Sequence, residues 1–163
     1  MLTASSALSA CSPSAPVKVE VAAPFVAGDY AKFAAPGARR VDGQAFLRKN
    51  GGDVVTCAGE MVVLAPETPL MLEEVKVIIA GNKPLVGGEQ GKISATGAIW
   101  TTTCDAQGNF TFDHVPAADW LVITGARWTV ADERQGGNMM KVVSTAKGPA
   151  GKVILSDIDL VGN

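Results

Sequence analysis

The sequence predicts an all-β protein, an antiparallel sandwich of about seven strands with one short helix, spanning about Val41–Val161. Two observations support this prediction. The 163 residues include 18 glycines and nine prolines but only 6% aromatic residues, a composition typical of many short strands and turns. The stretch Thr101–Val130 also follows the pattern of strand, turn, short strand, turn and long strand.

The first turn of this stretch lies between Asp105 and Gly108. The Asp side chain can accept hydrogen bonds from the backbone ahead of it, and Gly at the fourth position suits a type I turn. Polar and apolar residues then alternate over residues 109–113, which directs Phe110 and Phe112 to one face of a strand.

A second turn and a long strand follow. Pro116 ends the short strand because proline cannot donate to the ladder. Trp120–Val130 then resumes the alternation, with Trp120 on one face and Leu121 and Ile123 on the other. Because both faces are apolar near its start, we expect this end of the strand to be covered on both sides.

The motif G-x-F-x-F, followed by V-P and an aromatic residue four positions past the proline, resembles the carboxypeptidase regulatory-like domain. That family belongs to the prealbumin-like, Cna protein B-type group of seven-stranded sandwiches. Most members carry Gly before a Tyr in the second turn, where this chain has Ala118-Asp119-Trp120. The resemblance implies an add-on or surface module and indicates the fold better than the function.

The first eleven residues are predicted to be a partial signal peptide. Residues 8–11, Leu-Ser-Ala-Cys, resemble a bacterial lipobox, which implies lipidation of Cys11 and a lipid-anchored place in the cell envelope, periplasmic or surface-exposed. The alternative is a free cysteine in a disordered tail, since a charged start and a longer apolar run are missing.

Residues 12–40 are predicted to be a tether because prolines recur among alanine, serine and valine without a helical or strand period. Phe25, Tyr30 and Phe33 are too apolar for a pure spacer, so this segment is also a candidate to fold back onto the domain at 41–163.

Further elements follow from hydrophobic patterns and turn residues. The expected strands and loops are Val41–Leu47, a polar turn at 48–53, Glu60–Ala65, a loop at 82–91, a strand at 92–104, a polar loop at 131–137, and a final hairpin of 138–146 with 152–161 that has a bulge near Ser156.

The stretch 69–80 favours a helix with Thr68 as its cap, Pro69 as its first residue and Gly81 as its stop. Its inward residues would be Met71, Leu72, Val75, Ile78 and Ile79, with Glu73, Glu74 and Lys76 in water. The alternative is a strand over 75–79, where β-branched residues are frequent.

Cys57 and Cys104 both flank predicted strands, and an oxidising compartment would allow them to form a disulfide. Two buried free thiols are the alternative. No ligand spacing for a metal is present, and no cofactor is expected.

Few residues are candidates for catalysis or for metal binding. His114 lacks a nucleophile pattern around it, so a loop residue is favoured over a general base. Asp105, Asp113 and Asp119 could together bind calcium, although aspartates of this kind more often form turns. We therefore expect a protein that is not an enzyme.

The expected function is a structural or protein-interaction module of the envelope, with another envelope protein or a second copy as partner. The alternative is a carbohydrate-binding module in which an exposed Trp100 or Trp128 stacks on sugar rings. The competing interpretation of both tryptophans is that they pack in the core. The net charge is −2 and no basic stripe is visible, which argues against nucleic acid and anionic lipid headgroups as partners.

Overall fold

The computed structural model describes residues 16–80, 82–85 and 89–161, and the predicted sandwich is confirmed. Its first sheet, sheet I, is built around one long strand, β2, which pairs with three others. The strands of sheet I are β2 (Arg39–Arg48), β3 (Val54–Thr56), β7 (Asn109–Val115) and β10 (Val153–Leu155). Strands β3 and β7 pair antiparallel with β2, but β10 pairs with it in parallel.

Sheet II faces sheet I and is antiparallel throughout, in the order β11-β9-β8-β4-β6. Its strands are β4 (Met61–Pro66), β6 (Trp100–Thr103), β8 (Asp119–Val130), β9 (Glu133–Ser144) and β11 (Leu160–Val161). Two short strands, β1 (Lys18–Glu20) and β5 (Lys83–Leu85), form a separate parallel pair.

Three α-helices accompany the sheets in the described part of the chain: α1 (Ala27–Ala34), α2 (Pro69–Ile79) and α3 (Glu89–Ala95). None of the helices within the described ranges is long and apolar enough to cross a membrane.

The core lies between the sheets and is centred on β8. Trp120 and Val122 on the inner face of β8 are fully buried, and the indole N–H of Trp120 donates to the carbonyl of Pro116 at 3.3 Å. Leu121 on the outer face is equally buried, against Val75 of α2. The predicted cover on both faces of this strand is therefore confirmed.

The residues of the predicted fold motif occupy the core and its turns. Asp105 accepts hydrogen bonds from the backbone N–H groups of Gln107 and Asn109, and Gly108 has a φ of +78°. Phe110 and Phe112 are buried side by side, their ring centroids 6.2 Å apart.

Helix α1 folds back onto the sandwich, as the aromatic residues indicated. Tyr30 and Phe33 are buried, and the Phe33 ring meets that of Trp120 edge to face at 4.8 Å. The indole N–H of Trp100 donates to the carbonyl of Phe33 at 3.1 Å. Much of the predicted tether is thus part of the packed domain.

The helix favoured for 69–80 is confirmed, with the Thr68 hydroxyl accepting a hydrogen bond from the backbone N–H of Met71. The predicted inward face is wrong at its carboxyl end, where Ile78 and Ile79 are 39% and 44% exposed. Glu74 was expected in water but is buried. The predicted stop, Gly81, lies outside the described residues.

The predicted final hairpin is wrong. Strand β10 crosses to sheet I, and only β11 pairs with β9. The physical reason is burial, because pairing with β2 places the alternate residues Val153 and Leu155 in the core. The β8–β9 ladder ends at Thr145, a fully buried residue whose hydroxyl donates to the carbonyl of Pro116 at 2.7 Å and accepts from the N–H of Ala118. A 3-10 turn at Asp157–Asp159 then occupies the region where a bulge was expected.

Three other loop and strand predictions are also wrong. Residues 133–137 of the predicted polar loop extend β9, so only Ala131 and Asp132 form the turn, with φ of 47° and 67°. Both values are positive, as in the two-residue turns that match the twist of a hairpin. In the predicted strand at 92–104 only Trp100–Thr103 is β, because α3 precedes it, and β5 lies within the loop expected at 82–91.

The disulfide between Cys57 and Cys104 is confirmed, with their Cα atoms 5.8 Å apart. It joins the segment after β3 to the end of β6. Both residues are buried, so the crosslink is part of the core.

We expect the double variant Cys57→Ala, Cys104→Ala to lose about 4 kcal/mol of unfolding free energy, because the bond closes a loop of 47 residues in the unfolded chain. Urea denaturation of both proteins measures the difference. Thiol titration of the unreduced, denatured protein should find neither of these two cysteines free, and reaction of both would contradict the bond.

Two adjacent glutamates on α2 have opposite environments. The Glu73 carboxylate accepts hydrogen bonds from the backbone N–H groups of Ala22 and Ala23, which lower its pKa. Glu74 is buried, its Oε1 has no hydrogen-bond partner among the described residues, and burial raises its pKa. The protonated form of Glu74 is therefore favoured by folding.

We expect Glu74→Gln to raise the free energy of unfolding at pH 7 by roughly 1 kcal/mol. The contribution of Glu74 is fully present below its ordinary pKa of 4.5 and is lost as the pH rises through the raised folded-state value. Urea denaturation between pH 4 and 8 should show a decline in the parent that Glu74→Gln lacks. The matched control, Glu73→Gln, should change stability in the opposite direction, and a Glu74→Gln variant no more stable than the parent at pH 7 would contradict the assignment.

Candidate functional site

The candidate site lies where the β8–β9 hairpin runs past the end of sheet I. Along the inner face of β8, exposure increases from buried Ala126 to half-buried Trp128 and to Val130, which is 54% exposed. In the antiparallel register Gln135 lies opposite Trp128 and Glu133 lies opposite Val130. Directly opposite residues share a face, so these four side chains form one wall of a groove.

The second wall is the turn between β2 and β3. This turn is closed by the Lys49 N–H donating to the Asp53 carbonyl and the Gly52 N–H donating to the Lys49 carbonyl, both at 2.8 Å. The carboxylate of Asp157 accepts a hydrogen bond from the backbone N–H of Arg48 at 2.9 Å, which ties the turn to the 3-10 segment. The turn is therefore held in place on both sides.

The groove has a volume of about 710 Å³, within the range of small-ligand sites. Its lining combines apolar and polar groups. The lining residues are Leu47, Arg48, Lys49, Asn50, Gly51, Trp128, Val130, Glu133, Gln135, Gly136, Asp157 and Leu160.

The charges in the groove are mixed, with Arg48 and Lys49 on the turn and Glu133 and Asp157 on the opposite side. Amide groups of Asn50 and Gln135 add both donors and acceptors. The site therefore offers planar polar groups beside an aromatic ring without a strong net charge. Such a site suits a neutral polar ligand with an apolar face better than a highly charged one.

The three tryptophans differ in what they can do. Trp120 is in the core. Trp100 donates its indole N–H to the carbonyl of Phe33, and its ring centroid lies 6.5 Å from that of Trp120. This geometry favours the packing alternative for Trp100. Trp128 packs partly against the core and lines the groove, and its indole N–H has no acceptor in the part of the chain that the structure describes.

The other candidate residues are not gathered into one site. His114 is exposed on β7, with a φ of 60°, and its carbonyl accepts a hydrogen bond from Gly37. Asp105 is held in its own turn and Asp113 pairs with Arg40 at 2.8 Å. Within the described ranges, no three His, Cys, Asp or Glu side chains are arranged to hold a metal ion. Cys11 lies outside the described residues.

The sequence prediction missed most of this groove. Glu133 and Gln135 were assigned to a loop, and Lys49 and Asn50 were treated only as turn residues. The signal that could have revealed the first pair is the alternation Trp128, Val130, which continues at the same spacing after the two-residue turn. No sequence signal brings the β2–β3 turn to the same place.

Comparison with solved structures supports the fold. The chain is similar to a protein from Pseudomonas aeruginosa named as a "putative carbohydrate binding protein", with 21% sequence identity, a TM-score of 0.63, and coverage of 81% of this chain and 97% of that one. A weaker likeness, with a TM-score of 0.41 and 12% identity, is to a variant of the major pilin subunit of Bacillus cereus, over 74% of this chain and 30% of that one. At such identities the first likeness shows the fold alone, and the second carries no argument.

No family model matches the chain, and no curated protein matches it.

Proposed function

We propose that this protein is a non-enzymatic binding module of the bacterial envelope, anchored through a lipid on Cys11, whose groove binds a carbohydrate. The observation that supports a carbohydrate ligand is Trp128, a half-buried ring whose indole N–H has no acceptor among the described residues, in a groove flanked by Gln135 and Asn50. A pyranose ring has an apolar face for the aromatic surface and hydroxyl groups for the polar rim.

The disulfide supports the location. Stable disulfides form in oxidising compartments, and the bond between Cys57 and Cys104 fits a protein outside the cytoplasm. The resemblance of the stretch 101–130 to carboxypeptidase regulatory-like domains supports a module that binds rather than one that turns over a substrate. The envelope anchor itself is proposed from the lipobox-like pattern that ends at Cys11.

A protein partner is the second candidate. Val142 of β9 and Ile154 of β10 are 52% and 37% exposed and lie along a shallow groove between the two sheets. A short strand at a sheet edge, such as β10, is a common place for another chain to pack or pair. This surface is separate in its lining residues from the Trp128 groove.

We expect Trp128→Leu to weaken binding at least tenfold, or about 1.4 kcal/mol, for any oligosaccharide that the protein captures from an array of neutral and acidic glycans. Trp128→Phe should retain more affinity than Trp128→Leu because it keeps an aromatic face. Isothermal titration calorimetry with the captured oligosaccharide measures the three dissociation constants.

Val142→Ser is the matched control for this experiment, because the residue is exposed on β9 but lies outside the groove. It should bind the oligosaccharide like the parent. An array on which no glycan binds, or equal affinities of parent and Trp128→Leu, would overturn the carbohydrate assignment. Loss of a protein partner in Val142→Ser alone would instead favour the second candidate.

The anchor has its own test. Mass spectrometry of the protein isolated from bacterial membranes should show Cys11 as the amino terminus, bearing acyl chains, and Cys11→Ser should move the protein to the soluble fraction. An unmodified Cys11 with residues 1–10 still attached would contradict the anchor without affecting the groove.

A further inference from the structure

A second surface, remote in sequence from the groove, combines exposed apolar side chains with lysines. We call it the basal patch, and its apolar members are Val17, Ile78, Ile79 and Leu85, which are 62%, 39%, 44% and 41% exposed. Neither the proposed groove nor the disulfide accounts for these residues. Clustered exposed apolar side chains often mark a surface that binds something.

Hydrogen bonds hold the parts of the basal patch together. The backbone N–H of Val17 donates to the side-chain oxygen of Asn82, and its carbonyl accepts from the N–H of Lys83 at 2.9 Å. The N–H of Asn82 in turn donates to the carbonyl of Val77 in the last turn of α2. The β1–β5 pair is thus fixed beside the helix end that carries Ile78 and Ile79.

Three exposed lysines border the basal patch. Lys18 and Lys83 lie directly opposite each other in the parallel register of β1 and β5, and Lys76 lies on the last turn of α2. Two carboxylates lie among these lysines: Glu73 accepts hydrogen bonds from two backbone N–H groups and also attracts Lys76, and exposed Glu20 lies opposite Leu85. The sequence shows no basic stripe because these lysines come from three separate segments, which only folding brings together.

The chain leading to the basal patch is short. Four residues, 12–15, separate Cys11 from Pro16, the first described residue. Whatever the conformation of this segment, the five Cα–Cα steps from Cys11 to Pro16 span at most about 18 Å. A lipid on Cys11 would therefore hold Val17 and its neighbours close to the bilayer surface.

We infer that the basal patch rests on the surface of an anionic phospholipid bilayer, with its apolar side chains at the headgroup level and its lysines on the phosphates. Apolar residues beside a basic rim are the pattern of interfacial membrane contacts, and juxtamembrane lysines are attracted by anionic lipids. The inference rests on the proposed anchor at Cys11 and adds to it a fixed orientation of the domain.

The test is amine footprinting of the full lipidated protein in vesicles of phosphatidylethanolamine and phosphatidylglycerol, with labelling quantified by mass spectrometry. Relative to Cys11→Ser in solution, labelling of Lys18, Lys76 and Lys83 should fall at least threefold. Lys147 and Lys152, exposed on the connection between β9 and β10, should label equally in both states.

The double variant Ile78→Ser, Ile79→Ser should regain most of the lysine labelling while it remains lipidated and vesicle-bound. Its matched control, Val142→Ser with Ile158→Ser, removes two apolar side chains that are 52% and 88% exposed elsewhere and should keep the protection. All four residues are exposed, so circular dichroism should show unchanged folding.

The outcomes separate this inference from the proposals on which it depends. Lipidated, vesicle-bound protein whose lysines all label as in solution would overturn the basal patch alone. Protection in native membranes but not in protein-free vesicles would also overturn it and indicate a protein partner. An unmodified Cys11 would overturn the anchor and this inference together, while glycan binding at Trp128 would be unaffected.

Discussion

The burial of both faces of β8 is the constraint on which the rest of the structure depends. Trp120 and Leu121 are consecutive, point to opposite faces, and are both fully buried. Burying a large apolar side chain contributes roughly 1.5–3 kcal/mol, so exposing either face would be costly for a domain of this size. Sheet I and α1 cover the inner face, and α2 covers the outer one. Sheet I, α1 and α2 are therefore all required to bury the two faces of this one strand.

The groove exists because sheet I and α1 cover the inner face of β8 only along the first part of the strand. The β8–β9 hairpin continues in unbroken register to Val130 and Glu133, beyond the strands of sheet I. Inner-face positions that would be core residues elsewhere thus become partly exposed, which leaves Trp128 packed on one side and open on the other. A site of this origin is rigid, since the hairpin ladder and the closed β2–β3 turn hold its walls. Rigid walls reduce the entropy lost when a ligand binds.

The sequence predicted those parts of the fold that depend on local patterns. The alternation of polar and apolar residues predicted the buried faces of β7 and β8, and the Thr68-Pro69 pair predicted the start of α2. Both signals come from residues that are close together in the sequence. The errors concern partners distant in the chain. Strand β10 pairs with β2, more than 100 residues earlier in the chain, and this pairing buries Val153 and Leu155. The extension of β9 was concealed by polar residues that are exposed at a hairpin tip. The groove was predicted only through Trp128, because its second wall comes from residues about 80 positions earlier.

With the proposed anchor at Cys11, the position of the amino-terminal segment would determine how far the domain reaches from the membrane. If residues 12–40 were a free tether, a lipid on Cys11 would let the domain move up to about 100 Å from the membrane. The structure instead packs Tyr30 and Phe33 into the core and bonds Ala22 and Ala23 to Glu73. Only the few residues between Cys11 and Pro16 then remain to separate the domain from the bilayer. With the proposed anchor, the groove would sample ligands only within the height of the domain above the membrane, which favours a ligand belonging to the same cell envelope over one captured at a distance.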